Sequence, residues 1–177
     1  MMKFTLPVLA AAAILPLVAS ADVRIDVNGT KDGIKIQKTA GEGFSGGKAS
    51  WLPEGQQEQR IFLQKKVSKE YQEFSFAFTP DKDGNVWLSF GGNWNEDPAA
   101  RPFVLIDEVS INGEPLANGG FEDGFKGWGV GKNATVSSDA KAGGNAAKVN
   151  HDNNAGRNIK VEAGKSYTVK FFAKDAE

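Results

Sequence analysis

The chain has 177 residues, with 21 basic and 22 acidic side chains, 21 glycines, four tryptophans and no cysteine. This balance provides no basic field for nucleic acid or an anionic membrane, and the lack of cysteine excludes disulfides, thiol catalysis and cysteine-bound zinc. His151 is the single histidine, so any histidine-based catalysis would depend on it alone. The composition therefore favours a binding domain over an enzyme.

The first 21 residues predict a secretory signal peptide. Lys3 gives a positive start, residues 4–18 are almost wholly apolar, and residues 19–21 form a small-x-small cleavage motif. A membrane anchor is the alternative, but the apolar run is shorter than the ~20 residues of a membrane span. We expect cleavage before Asp22 and export by a bacterium to the periplasm or the medium, with no membrane attachment afterwards.

Residues 22–177 have the pattern of a series of short β-strands. Apolar and polar side chains alternate with a period of two in five runs, as is typical of half-buried strands. These runs cover residues 23–27, 34–37, 74–78, 86–90 and 167–172. Turn signals such as Asn28-Gly29, Asp32-Gly33 and Asn112-Gly113 separate the runs, and no stretch has a sustained helical period. We therefore predict an all-β fold, an antiparallel β-sandwich.

A longer motif begins at residue 118. Residues 118–128 read Asn-Gly-Gly-Phe-Glu-Asp-Gly-Phe-Lys-Gly-Trp, and residues 163–169 read Ala-Gly-Lys-Ser-Tyr-Thr-Val. This region resembles the first half of carbohydrate-binding modules of families 4, 9 and 22, which have a galactose-binding-like jelly-roll fold. The upstream runs 67–78, 86–90 and 103–111 resemble the second half of the same modules. The two halves, 22–112 and 118–177, thus occur in swapped order.

Three arrangements would explain the swapped order. A circular permutation would join the usual ends through residues 112–117 and open new ends between Lys174 and Asp22, which a sandwich tolerates because its ends often lie close together. Two tandem modules that each lack one half, or a truncated reading frame, are the alternatives. We predict one permuted domain over 22–177. A half-module that pairs with a neighbouring chain remains the alternative assembly.

The resemblance implies a structural calcium ion. In these modules the glutamate after the Gly-Phe pair and the aspartate of the closing strand help to hold it, and these positions are Glu122 and Asp107 here. Calcium takes six to eight oxygen ligands, and carboxylates lower the electrostatic cost of binding it. The alternative is that both are solvated carboxylates near loop ends.

The resemblance also implies glycan binding, which uses flat apolar surfaces for sugar rings and polar groups for their hydroxyls. Trp87 is the first candidate, because the alternation of residues 86–90 directs it outward. We expect Ser75, Ala77 and Ser89 to form the floor beside it. The alternative is a tryptophan covered by a loop.

Further candidates lie in the loops. Trp94 could form a wall of the groove together with Arg101, and Trp51 precedes a polar stretch that contains Gln57 and Arg60. Each tryptophan could instead anchor its loop.

We therefore expect an exported, non-catalytic module that binds a polysaccharide or glycan. No G-x-S-x-G motif accompanies His151, and no pair of carboxylates occurs in a recognisable glycosidase setting. Such modules are often attached to glycoside hydrolases, so a hydrolase activity assigned through this resemblance would belong to the attached enzyme and not to this chain. The alternative is a structural or adhesive surface protein whose sandwich halves self-associate by strand complementation.

Overall fold

The computed structural model describes residues 21–176, and it confirms the all-β prediction. Thirteen strands in this part of the chain form two antiparallel sheets, and the remaining regular structure there consists of three short 3-10 turns. The predicted signal peptide lies outside the described residues, except for Ala21. Among the described residues, no helix is long and apolar enough to cross a lipid bilayer.

The first sheet, called the front sheet here, has six strands. They are β1 (Asp22–Asn28), β3 (Ser45–Lys48), β4 (Arg60–Lys66), β6 (Gly84–Gly92), β9 (Gly129–Val130) and β12 (Ala155–Val161). Their spatial order is β3–β4–β1–β6–β12–β9. The long strands β1 and β6 therefore lie side by side at the centre of the sheet.

The second sheet, called the back sheet, contains the other seven strands. They are β2 (Ile36–Ala40), β5 (Gln72–Pro80), β7 (Val104–Ile111), β8 (Glu114–Pro115), β10 (Thr135–Ser137), β11 (Ala146–Val149) and β13 (Tyr167–Asp175). Six of them follow the order β10–β11–β7–β13–β5–β2, and β8 pairs with β7 beside this path.

The hydrophobic core fills the space between the sheets. Alternate side chains of each long strand point inward, which is why the period-two runs of the sequence became strands. Phe90 of the front sheet and Phe171 of the back sheet are both fully buried, with ring centroids 4.9 Å apart. Trp128 closes one end of this core against Phe90 and Phe121. Because the apolar side chains pack between the two sheets, the side chains that alternate with them point to the outer surfaces of the sandwich.

Each sheet draws strands from both halves of the chain. In the front sheet β12, from residues 118–177, pairs with β6, from residues 22–112. In the back sheet β13 lies between β7 and β5. The two halves meet at a tight hairpin between β7 and β8, where Asn112 and Gly113 both have positive φ, of 54° and 85°. This conformation is the one that Asn-Gly hairpin turns adopt.

The two ends of the described chain lie close together. The Ala21 carbonyl accepts a hydrogen bond from the Val67 N–H at 3.1 Å, and the Asp175 N–H donates to the Ser68 carbonyl at 2.8 Å. Val67 and Ser68 are neighbours in the connection between β4 and β5. A short link could therefore join residues 21 and 175 without disturbing either sheet.

Candidate functional site

The outer surface of the front sheet, called the front face here, carries side chains in cross-strand rows. Residues paired across antiparallel strands place their side chains on the same side of the sheet. The first row contains Arg60, Asn28, Trp87 and Asn158. The second row contains Phe62, Asp26, Ser89 and Gly156. The prediction that Trp87 points outward from β6 is therefore confirmed.

Trp87 lies on a floor made by two glycines. A Cβ atom at Gly129 would come within 2.9 Å of its Cη2 atom, and one at Gly156 would come within 2.6 Å of its Cε2 atom. The indole therefore extends from β6 across β12 to the edge strand β9, and it can do so because these two positions have no side chain. The glycines hold the ring low over the sheet and leave it half-buried.

The predicted floor of Trp87 was wrong in two of its three residues. Ser75 and Ala77 belong to β5 of the back sheet, whereas Trp87 belongs to the front sheet. Ser89 does lie in the row next to Trp87 and is buried. The error arose because small residues on an alternating strand do not reveal which sheet that strand joins.

A recess of about 280 Å³ opens beside Trp87. It is lined by Asn28, Thr30, Lys31, Asn85, Trp87 and Asn158. The side-chain amides of Asn85 and Asn158 form no hydrogen bond with the described residues, so their donors and acceptors are available to a ligand. The recess thus combines one aromatic surface with several amides.

A charged group occupies the middle of the front face. Arg60 donates from Nε to the Asp26 carboxylate at 2.7 Å and from Nη2 to its second oxygen, a two-pronged contact. This hydrogen bonding raises the pKa of Arg60, whereas burial lowers the pKa of Arg24 on the same strand as Asp26. Arg24 donates from Nη2 to the His151 carbonyl at 3.1 Å. The predicted ligand-binding residue Arg60 is thus already paired with a carboxylate.

Trp51 borders the front face at its β4 side. Its side chain is 58% exposed, and its ring meets Phe62 edge-on with centroids 5.1 Å apart. The Arg60 guanidinium lies 5.6 Å from the centre of the Trp51 ring. Gln57 donates to the Leu52 carbonyl at 3.1 Å, so it shapes the loop that carries Trp51. The structure therefore brings Trp51 and Arg60 together and gives Gln57 a supporting position.

Trp94 lies at the other end of the face, in the loop that follows β6, and is 60% exposed. Arg101 anchors this loop, since it donates to the Asn95 carbonyl at 2.9 Å and forms an ion pair with Asp152. Its side chain is largely buried by these contacts, which leaves little of it for a ligand. β1 runs about 17 Å from the Trp87 row to this end, at about 3.4 Å per residue.

The two residues expected to hold calcium clamp one loop in the structure. The Asp107 carboxylate is buried and accepts the N–H groups of Glu108, Lys141 and Ala142, at 2.8, 2.8 and 3.2 Å. The Glu122 carboxylate accepts the N–H of Gly144 at 3.0 Å. Burial raises the pKa of Asp107 despite these contacts.

The described residues contain no group of three or more acidic or histidine side chains placed to hold a metal ion. Any calcium bound beside Asp107 and Glu122 would therefore depend on backbone or water oxygens for most of its ligands. The structural calcium stays a prediction.

A larger recess of about 680 Å³ opens elsewhere, between the edge strands β2 and β3. Ile36, Ile61 and Pro80 contribute apolar surface, and Glu58 bridges Lys35 and Lys48 at 3.1 and 3.2 Å. Among the described residues, no aromatic side chain lines it, and none of the predicted ligand-binding residues reaches it. Of the two surfaces, the front face is the one on which the described residues present indole rings, so it is taken as the candidate site.

No protein-family model, curated protein or solved structure matches this chain. Function is therefore inferred from the residues of the front face.

Sequence reasoning missed several residues of this face, among them Arg24, Asp26, Asn85, Asn158, Gly129 and Gly156. Arg24 and Asp26 could have been found, because the alternation of β1 already directs them away from the core. The two glycines carried no such signal, since their role depends on β9 and β12, which follow Trp87 by about 40 and about 70 residues.

Proposed function

We propose that the front face binds a polysaccharide or glycan without catalysis, with Trp87 as the main stacking surface. The observation that carries this proposal is the indole laid over Gly129 and Gly156, beside the unengaged amides of Asn85 and Asn158. An indole face suits the C–H side of a sugar ring, and amide groups both donate to and accept from hydroxyls. Trp51 and Trp94, at two borders of the face, are further contacts for a long ligand.

We also infer that the chain is a circularly permuted relative of the modules it resembles, exported by its signal peptide. The close approach of residues 21 and 175 to the Val67–Ser68 connection supports this inference, as does the tight Asn112-Gly113 hairpin. β12 is an interior strand of the front sheet and β13 is an interior strand of the back sheet. Residues 118–177 therefore complement residues 22–112 within one chain. This arrangement favours glycan binding over assembly by strand exchange between chains.

The test compares Trp87→Ala with a matched control, Phe172→Ala, in the chain from residue 22. Phe172 is a half-buried aromatic on the outer side of the back sheet, where Lys141 lies 5.1 Å from its ring. Affinity electrophoresis through gels with dissolved polysaccharides measures retention, and circular dichroism verifies the fold. Removal of a central tryptophan typically costs about 2 kcal/mol or more, roughly thirtyfold in Kd.

We expect Trp87→Ala to lose retention and Phe172→Ala to keep it. Equal retention by a folded Trp87→Ala variant would refute the proposed site. If the wild-type chain binds no polysaccharide and its molar mass by light scattering rises with concentration, assembly replaces glycan binding as the function.

A further inference from the structure

The front face carries more positive than negative charge. Its outward-pointing charged residues are Asp22, Arg24, Asp26, Arg60, Lys66 and Lys160, four basic and two acidic. The whole chain, in contrast, has a net charge of −1. The surface that presents Trp87 is therefore suited to an anionic ligand, although the protein as a whole is not basic.

The excess charge centres on Arg24. The Asp26 carboxylate is engaged on both oxygens by Arg60, and Arg24 has no hydrogen-bonded carboxylate among the described residues. Asp152 is near, but its two oxygens contact Arg101 and His151. Of the five N–H donors of Arg24, the single hydrogen bond found within residues 21–176 is the one from Nη2 to the His151 carbonyl.

The surroundings of Arg24 hold its guanidinium in place. It lies 5.8 Å from the centre of the Phe62 ring, and Gly91 opposite it leaves room, since a Cβ there would come within 3.2 Å of Nη2. Burial lowers the pKa of Arg24, because its charge has lost part of its hydration. A ligand carboxylate would stabilise the guanidinium charge in place of the lost water. Guanidinium groups bind carboxylates with two parallel hydrogen bonds.

We propose that the bound glycan is a carboxylated one, a polysaccharide rich in uronic acid, whose carboxylate pairs with Arg24 while another sugar ring of the same polymer stacks on Trp87. This inference rests on the proposed function and names the ligand class for the same face. Arg24 lies four residues along β1 from the row that contains Trp87, about 14 Å at the strand rise. One ligand must therefore extend over more than one sugar unit to contact both.

The experiment uses pairs of polymers that differ in their carboxylates alone. Polygalacturonate and its methyl ester form one pair, and glucuronoxylan and its carboxyl-reduced form make a second. Alginate and its propylene glycol ester make a third. Retention and Kd are measured for the wild-type chain, for Arg24→Gln and for Lys170→Gln. Lys170 lies on the back sheet with Glu73 at 3.5 Å, so its substitution removes the same charge elsewhere.

We expect the wild-type chain to bind at least one free acid about tenfold more tightly than its neutral partner at low salt, as one charge-assisted hydrogen-bond pair would provide. Arg24→Gln should abolish that preference while it retains the binding of the neutral polymer, and Lys170→Gln should keep both.

Equal affinity for acid and neutral partners, with Trp87 still required, would overturn the carboxylate inference and leave the proposed function standing. A preference for the acid that survives in Arg24→Gln would overturn it as well. If neither member of any pair binds, the carboxylate inference is overturned, and the proposed function falls with it only if the wild-type chain is also not retained by any polysaccharide in the affinity gels.

Discussion

Gly129→Ala tests whether two glycines position the central tryptophan. A Cβ at Gly129 would lie 2.9 Å from Cη2 of Trp87, and its other nearest atoms would be at 3.6 and 3.7 Å. An ordinary contact needs at least about 3.4 Å, so the tip of the indole must rise by about 0.5 Å. Gly156→Ala is the poorer test, because its Cβ would also meet the Cβ of Ser89 at 2.6 Å.

The effect on stability should be small and the effect on binding larger. Overpacking costs about 1–3 kcal/mol in a closed core, and the edge position of Gly129 puts this case at the low end. Replacement of glycine by alanine also stabilises by about 0.4–1 kcal/mol through the unfolded chain. We therefore expect a free energy of unfolding within about 1 kcal/mol of wild type, together with weaker glycan binding because the stacking surface has moved.

Urea unfolding followed by far-ultraviolet circular dichroism gives the stability, and affinity electrophoresis gives the binding. Gly47→Ala is the matched control, since Gly47 lies in β3 of the same sheet and a Cβ there would touch nothing within 4 Å. In a Trp87→Ala background Gly129→Ala should no longer lower the free energy of unfolding. The double-mutant cycle of the two substitutions should then give a coupling energy of about 0.5 kcal/mol or more. If Gly129→Ala behaves like Gly47→Ala in both assays and shows no coupling to Trp87, the glycine floor is refuted.

Two further predictions concern the back sheet and its loop. Burial raises the pKa of Tyr71, whose Oη donates to the Asp139 carbonyl at 2.6 Å. The unfolded phenol then ionises first, so its contribution to stability is complete below about pH 10 and is lost as the pH rises further. Between pH 8 and 11 the midpoint of urea unfolding should fall less steeply with pH in Tyr71→Phe than in the wild-type chain. Equal slopes for the two chains would contradict this prediction. Separately, the predicted calcium ion should raise the melting temperature above its value in EDTA, and Asp107→Asn should remove that difference. Because Asp107 also accepts three N–H groups, the free energy of unfolding of Asp107→Asn should be lower than that of wild type by about 1–3 kcal/mol even in EDTA. A wild-type melting temperature that does not respond to calcium would refute the ion and leave Asp107 as a loop clamp.

The strands and their two sides could be predicted from the sequence because their signal is local. Successive side chains of a strand point to opposite faces, so an apolar run at every second position fixes which side meets the core. That rule placed Phe74, Phe90 and Phe171 inside and Trp87 outside, and the structure confirms each of these placements. The Asn112-Gly113 hairpin was equally local, since two positive φ angles in succession favour these residue types.

The neighbours of each strand were decided by the tertiary structure. Ser75 and Ala77 have the same alternation as Ser89, yet β5 joins the back sheet and β6 the front sheet. The floor of Trp87 comes instead from Gly129 and Gly156, which β9 and β12 bring beside β6.

The charges of the front face follow the same division. The alternation of β1 directs Arg24 and Asp26 outward. β4 supplies the Arg60 that binds the Asp26 carboxylate, so that within residues 21–176 Arg24 has no hydrogen-bonded carboxylate. The alternation of apolar and polar residues shows which side chains of one strand point inward and which point outward, because this depends on the backbone geometry of that strand alone. The choice of partner strands depends on how all the apolar faces of the chain are buried together, which no short stretch of sequence contains.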